Sequence, residues 1–125
     1  MFLSLLACLT TPSETQAQDP EAHYQAGVAA LQAKEAETAK SELSACVAVA
    51  PSRVDCQWEL GWANWLLADW EGTVEAWNQV KTLDPSHAQV DQYLPTAKGH
   101  LATQAMVAKA AEGAPTTLGA GVAQG

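Results

Sequence analysis

The chain has 125 residues and a formal net charge of −8, with six basic and fourteen acidic residues. Its length corresponds to one domain, and its charge argues against nucleic acid and anionic lipid headgroups, because both are bound by clusters of Lys and Arg. We interpret the acidity first as a source of solubility and second as a preference for basic partners. No nucleophile elbow, phosphate-binding loop or metal-ligand spacing occurs, so we expect no enzymatic activity, cofactor or metal ion.

The first segment, residues 1–18, resembles a secretory signal. An apolar run at 2–9 is too short to span a bilayer, and a polar stretch follows it. The sequence Leu-Leu-Ala-Cys that ends at Cys8 resembles the lipobox of bacterial lipoproteins, which implies lipidation of Cys8. Because no Lys or Arg precedes the run, cleavage after Ala17 and a fortuitously apolar leader remain alternatives. We expect export to the cell envelope, either periplasmic or lipid-anchored to the membrane.

Two glycines and two prolines recur at one interval. Gly27 precedes Gly61 by 34 residues, and Pro51 precedes Pro85 by the same 34. A fixed period of this length indicates repeated helix-turn-helix units, in which each pair of helices buries its apolar face only against its neighbours. Glycine inside a helix costs about 1 kcal/mol relative to alanine, so both glycines predict close approach of a partner helix.

Start and stop signals place the helices. Asp19 is the expected N-cap of the first helix and is followed by proline at its first position. Pro51 and Pro85 each separate two helices, and Ser52 and Ser86 are the expected caps of the helices that follow. These signals predict helices near residues 20–33, 36–50, 53–68 and 71–83, and a fifth from about 87 to 111.

The fifth helix contains Pro95, which predicts a kink or a restart. Beyond it, Leu101, Ala105 and Ala108 form an apolar face at helical spacing. We expect this helix to close the array as a cap, and the alternative is the first helix of an incomplete third repeat. Residues 112–125 are rich in Gly, Ala and Thr and predict a flexible tail, and their abrupt end favours the front part of a longer protein.

The residues around the repeated anchors resemble the tetratricopeptide repeat family, whose consensus contains Trp, Leu-Gly, Tyr, Ala, an aromatic residue and Pro. The first repeat, 20–53, matches at Gly27, Ala39, Leu43 and Pro51. The second repeat, 54–87, matches at Leu60, Gly61, Trp77 and Pro85, and departs from the consensus at Gln57, Asn64 and Thr73. The resemblance implies an all-α fold, a short right-handed superhelical α-solenoid of two repeats plus a C-terminal capping helix (87–111), which together form a domain over 20–111.

Five tryptophans lie between residues 58 and 77. Trp58, Trp62 and Trp65 are spaced i, i+4 and i+7, so they project from one face of the third helix. Trp70 and Trp77 belong to the predicted core of the second repeat.

In the family, the face that carries these three tryptophans lines a concave groove where peptides bind. The corresponding residues of the first repeat are Tyr24, Val28 and Leu31. We therefore expect an apolar partner-binding groove made of these residues and Trp58, Trp62 and Trp65, with Arg53 and His87 at its edge. The alternatives are a groove filled by the fifth helix or by the tail, and a homodimer interface.

Cys46 and Cys56 remain as an even pair if Cys8 is lipidated or removed, which suits an oxidising compartment. In the family, their positions usually hold small residues at the contact between adjacent helices, so a disulfide is a plausible pairing. Closing this interval would stabilise the domain by about 2–3 kcal/mol. Two free buried cysteines are the alternative.

These observations predict an exported protein-protein interaction module of the bacterial cell envelope, an adaptor or scaffold that binds a segment of another protein. The alternative is a self-associating structural module, or the N-terminal domain of a longer envelope protein.

Overall fold

A computed structural model describes residues 19–113, and over that range it contains five α-helices and no β-strand. We number the helices α1 to α5 in chain order: Pro20–Gln32, Ala36–Val49, Val54–Leu66, Trp70–Leu83 and Ala88–Gly113. The all-α class is confirmed, and each predicted helix limit is correct to within two residues. The predicted leader (1–18), its Cys8, and the tail after residue 113 lie outside the described residues.

The 34-residue interval is a repeat of backbone structure. α1 and α3 have 13 residues each, α2 and α4 have 14 each, and the second pair follows the first at an offset of 34 residues. The turns match as well, because Lys34 and Ala68 both have a positive φ, of 64° and 56°. Glu35 and Asp69, next in each turn, donate their backbone N–H to the carbonyl five residues earlier, at 2.8 and 2.9 Å. The chain therefore contains two copies of one helix-turn-helix unit.

Each unit closes around a glycine. Gly27 of α1 lies against Leu43 of α2, and Gly61 of α3 lies against Trp77 of α4, so closely that a Cβ on either glycine would overlap the neighbouring side chain. Leu43 and Trp77 are fully buried. Trp77 also donates a hydrogen bond of 3.1 Å from Nε1 to the backbone oxygen of Trp58. The close helix approach that the glycines predicted is confirmed.

Short turns reverse the chain between consecutive helices, so α1, α3 and α5 run in one direction. Each helix packs against the next, and α1 also contacts α3. The core has two clusters of buried residues. One joins the first three helices through Ala30, Ala39, Leu43 and Ala63. The other consists of Trp77, Val80, Val90, Leu94 and Ala97 of α4 and α5, and partly buried residues of α3 pack against it.

A disulfide connects the two units. Cys46 of α2 and Cys56 of α3 are fully buried, with their Sγ atoms 1.94 Å apart and their Cα atoms 6.2 Å apart. The predicted pairing is therefore found, and it joins α2 of the first unit to α3 of the second. It covalently fixes the junction across which one helix pair packs on the other.

Two predicted caps are wrong. Arg53 occupies the N-cap position of α3 without a capping side-chain hydrogen bond. Before α5, His87 Nδ1 accepts the backbone N–H of Val90 at 3.1 Å. Each helix starts one residue later than a serine cap would require, and the Ser86 hydroxyl instead donates to Asp84 at 2.7 Å. At α1 the prediction is confirmed, because the Asp19 side chain accepts the N–H of Glu21 at 3.0 Å.

α5 is one continuous helix of 26 residues that contains Pro95, so the predicted restart is wrong. Pro95 is exposed, as is Asp91, whose carbonyl loses its helical partner and can be hydrated instead.

The packing face of α5 ends before its C-terminal half. Its buried residues are Val90, Leu94 and Ala97. Leu101 is half-buried, whereas Ala105 and Ala108, predicted to share an apolar packing face with it, are exposed. Only the first half of α5 covers the rest of the described domain, because the helix runs past the end of α3.

Substitution of Gly61 by alanine should lower the free energy of unfolding by about 1–3 kcal/mol, because the new methyl group displaces the Trp77 indole. Gly99→Ala is the matched control, since a Cβ there meets nothing within 4 Å. It should raise the free energy of unfolding by about 0.5–1 kcal/mol through helix propensity. Urea denaturation followed by tryptophan fluorescence measures both values, and equal effects would contradict the packing role of Gly61.

Reduction of the Cys46–Cys56 disulfide should lower the free energy of unfolding by about 2–3 kcal/mol, because the unfolded chain regains the entropy of an open loop. Denaturation with and without dithiothreitol measures the difference. The variant with both cysteines replaced by alanine is the control and should not respond to the reductant. Identical unfolding midpoints for the oxidised and reduced wild type would refute the stabilising role.

Candidate partner-binding groove

An open groove of approximately 530 Å³ lies between α1 and α3. This volume falls in the range of ligand sites in proteins. Apolar side chains dominate the walls, and a few polar groups stand among them. The lining residues are Val28, Leu31, Gln32, Lys34, Glu59, Trp62, Trp65 and Leu66. Four of the six residues predicted to form the groove are therefore found together: Val28, Leu31, Trp62 and Trp65.

Tyr24, the fifth predicted residue, does not line the groove. Its ring lies 5.1 Å below the guanidinium carbon of Arg53. Arg53 in turn forms ion pairs with Asp55 at 2.6 Å and with Glu21 at 2.8 Å. The Arg53 hydrogen bonds hold the pKa of Asp55 below its ordinary value, and burial raises the pKa of the Tyr24 hydroxyl. Arg53, predicted as an anchor at the groove edge, is thus already engaged by two carboxylates and a ring.

Trp58, the sixth predicted residue, faces α5 instead of the groove. Its ring centroid lies 5.0 Å from that of His87 and 6.2 Å from that of Tyr93. His87, the second predicted edge anchor, is occupied as the cap of α5 and by this ring contact. Sequence periodicity places Trp58 on the same helix face as Trp62, but it does not show that α5 packs against that face at Trp58.

The tryptophans form one connected aromatic cluster around buried Trp77. Ring centroids of Trp58, Trp62 and Trp65 lie 5.2, 5.1 and 5.7 Å from that of Trp77. Tyr93 of α5 adds an edge contact to Trp62 at 5.0 Å. Each such pair contributes about 0.5–1.5 kcal/mol beyond the burial of its area. Trp62 and Trp65 therefore have two roles, since they pack in this cluster and also line the groove.

At the end of the cluster, α5 passes the last turn of α3. His100 stacks on Trp70 with centroids 4.1 Å apart, and it meets the edge of Trp65 at 5.6 Å. His87, just before α5, and Tyr93 and His100 on α5 contact Trp58, Trp62 and Trp65 in order, so ring contacts connect α5 to α3. The alternative of a groove filled by the fifth helix describes the Trp58 side, whereas the side between α1 and α3 is open.

Glu59 is the acidic group of the groove, and sequence reasoning did not find it. It is half-buried on α3, and desolvation, reinforced by the charge of Asp55, raises the pKa of its carboxyl. Within residues 19–113 it has no hydrogen-bond or ion-pair partner, and the same is true of Lys34 at the groove rim. The sequence gives no signal that this carboxylate lacks a partner, because the absence of a nearby cation depends on how the helices pack.

A second cavity, of approximately 310 Å³, is polar and lies among α2, α3 and α4. Gln57 and Asn64 line it, at positions where the tetratricopeptide consensus has Trp and Tyr, and they are 7% and 4% exposed. Asn64 Oδ1 has no hydrogen-bond partner in the described part of the chain. At the cavity wall, Lys40 pairs with Asp69 at 3.1 Å. Two of the three departures from the consensus, Gln57 and Asn64, thus line this cavity, whereas Thr73 is fully buried and hydrogen-bonded to the backbone oxygen of Asp69.

The described residues hold no group of three or more His, Cys, Asp or Glu side chains arranged to bind a metal ion. None of the helices between residues 19 and 113 combines the length and the apolar character needed to cross a bilayer.

A scan against models of known protein families found no match, and a search of curated proteins found no relative of this chain. Function is therefore inferred from the groove itself. It combines apolar walls from two helices with two charged groups, Glu59 and Lys34, that form no ion pair among the described residues. Such a surface is suited to binding.

Substitution of Asn64 by leucine should raise the free energy of unfolding by about 1–2 kcal/mol, because it removes an unpartnered buried amide and adds apolar volume beside a cavity. Asn78→Leu is the control, since Asn78 is exposed on α4, and its effect should stay within about 0.5 kcal/mol. Urea denaturation compares the two variants. A loss of stability for Asn64→Leu would show that the amide is needed for packing.

Proposed function

We propose that this chain is an exported protein-protein interaction module of the bacterial cell envelope, which binds an extended or helical segment of another protein in the groove between α1 and α3. The observation that carries the proposal is the open apolar wall formed by Trp62, Trp65 and Leu66, of which Leu66 is 47% exposed. Aromatic side chains in partly buried pockets are typical binding hot spots. A groove between two helices also suits the docking of an amphipathic helix.

We further propose that the two helix-turn-helix units are tetratricopeptide repeats in a short right-handed superhelical solenoid. The support is the 34-residue offset of all four helix limits and the glycine-mediated closure at Gly27 and Gly61. In such an array α1, α3 and α5 form the inner layer, and the groove between α1 and α3 becomes its concave face.

Export is supported by the disulfide, because a buried Cys46–Cys56 bond is typical of an oxidising compartment. The anchor at Cys8 remains part of the proposal on the strength of its lipobox-like sequence. The module is then either free in the periplasm or attached to the membrane through that residue.

A self-associating module is the second candidate, and a specific observation favours it. Met106 and Val107, in the projecting half of α5, are 72% and 64% exposed. A solitary helix of about a dozen residues is marginal in water, so a partner surface would stabilise this half. The partner is either a second copy of the chain or a following domain of a longer envelope protein.

A photoactivatable phenylalanine analogue at Leu66 should crosslink to the partner in cells, because this position borders the groove. The same analogue at Val49, which is 44% exposed on α2 and does not line the groove, is the matched control. Mass spectrometry identifies the captured protein, and its purified form is then titrated by calorimetry. Trp62→Ala should weaken that binding at least about 30-fold, as expected for a hot spot.

Because Trp62 also packs against Trp77, Leu66→Ser provides a second groove variant that leaves the aromatic cluster intact. It should weaken binding about 10-fold, whereas Val49→Ser should not change it. Capture of the chain's own sequence, together with a dimer in sedimentation velocity that Trp62→Ala dissociates, would support self-association instead. Equal crosslinking from both positions would refute the groove as the binding surface.

A further inference from the structure

The groove contains a carboxylate, Glu59, that forms no ion pair among the described residues. Glu59 lies three residues before Trp62 on the same face of α3, half-buried between apolar walls. The charge of Asp55, one turn earlier, also acts on Glu59, although Asp55 itself is paired with Arg53. A partly buried carboxylate without a partner is unfavourable, because it loses water without gaining a hydrogen bond. Any cation that enters the groove with a ligand would relieve this cost.

The basic residues near the groove do not supply that cation. Arg53 is held by Asp55 and Glu21, and Lys40 is held by Asp69. Lys34 stands at the rim and makes no ion pair among the described residues. Segments 1–18 and 114–125 contain neither Lys nor Arg, so they do not match this charge either.

We propose that the groove selects partner segments that place a Lys or Arg side chain at Glu59 next to a bulky apolar side chain against Trp62 and Trp65. This inference rests on the proposed function and names the chemistry of its partner. The apolar side chain would supply most of the affinity through burial, and the basic one would supply selectivity through a charge-assisted hydrogen bond. The tryptophan rings also attract a neighbouring cation electrostatically.

The charge of the whole chain favours a basic partner over a second copy. A net charge of −8 steers cationic segments toward the domain and repels an identical chain. In the projecting half of α5, Lys109 is the basic residue available to a second copy, and Glu112 follows it one turn later on the same helix face. That helix therefore presents no net positive charge to the groove.

Selection from a library of random 12-residue peptides tests the inference with the folded domain as bait. Three baits are compared: the wild type, Glu59→Gln and Leu66→Ser. Peptides enriched by the wild type should carry Lys or Arg within four residues of Leu, Met, Phe or Trp. The basic residue should disappear from the consensus with Glu59→Gln while the apolar residue remains, and enrichment should fall with Leu66→Ser.

Synthetic peptides then give the magnitude. Replacing the basic residue with norleucine, which keeps the chain length and removes the charge, should weaken binding to the wild type about 10-fold and to Glu59→Gln less than about 2-fold. Glu75→Gln, at the second cavity, is the charge-matched control and should behave as the wild type.

The outcomes separate the inference from the function on which it rests. Apolar peptides that depend on Leu66 but ignore the change at Glu59 would overturn the basic selectivity and leave the groove as a binding surface. An absence of peptides that depend on Leu66 would overturn both. A concentration-dependent dimer that the Lys109→Gln substitution dissociates would identify a second copy as the occupant and overturn the choice of a separate partner.

Discussion

The indole of Trp77 lies against α3 at Gly61, where no side chain separates the two helices, and its Nε1 donates to the backbone of Trp58. This contact sets the separation of α3 and α4. It also provides the flat surface on which Trp58, Trp62 and Trp65 pack. A Cβ at position 61 would push the helices apart, and the aromatic cluster would lose its centre. The shape of the groove wall is thus a consequence of one missing side chain.

The two units pack side chains of different size against their glycines. The first unit places Leu43 against Gly27, and its core consists largely of alanine and leucine, whereas the second contains the tryptophans. The disulfide joins α2 to α3 and thereby holds the unit with the smaller core side chains to the aromatic one. Because the groove takes one wall from each unit, it depends on this junction as much as on its own lining.

The charged residues of α3 and its N-cap differ in whether they have partners within the domain. Arg53 is paired twice and covers Tyr24, and neither residue lines the groove. Glu59, one turn further along α3, is left without a cation. Neighbouring acidic positions on one helix therefore have opposite roles. Asp55 stabilises the packed domain together with Arg53, while Glu59 gives the open surface an unsatisfied charge on which selectivity can be based.

The sequence by itself determined the helices, their 34-residue repetition and the close approach at Gly27 and Gly61, because each follows from local propensity or from a fixed spacing. It left the pairing of Cys46 with Cys56 as one of two alternatives. It also placed Val28, Leu31, Trp62 and Trp65 on faces that meet. Only the tertiary structure showed that Tyr24 and Trp58 do not line the groove. They share those helix faces, but Arg53 covers Tyr24 and Trp58 packs against His87 and Tyr93. The tertiary structure alone also isolated Glu59 and left the second half of α5 uncovered within the described residues. These features depend on where the neighbouring helix starts and ends in space. Helical periodicity shows which face of a helix a residue lies on, but it does not show what packs against that face.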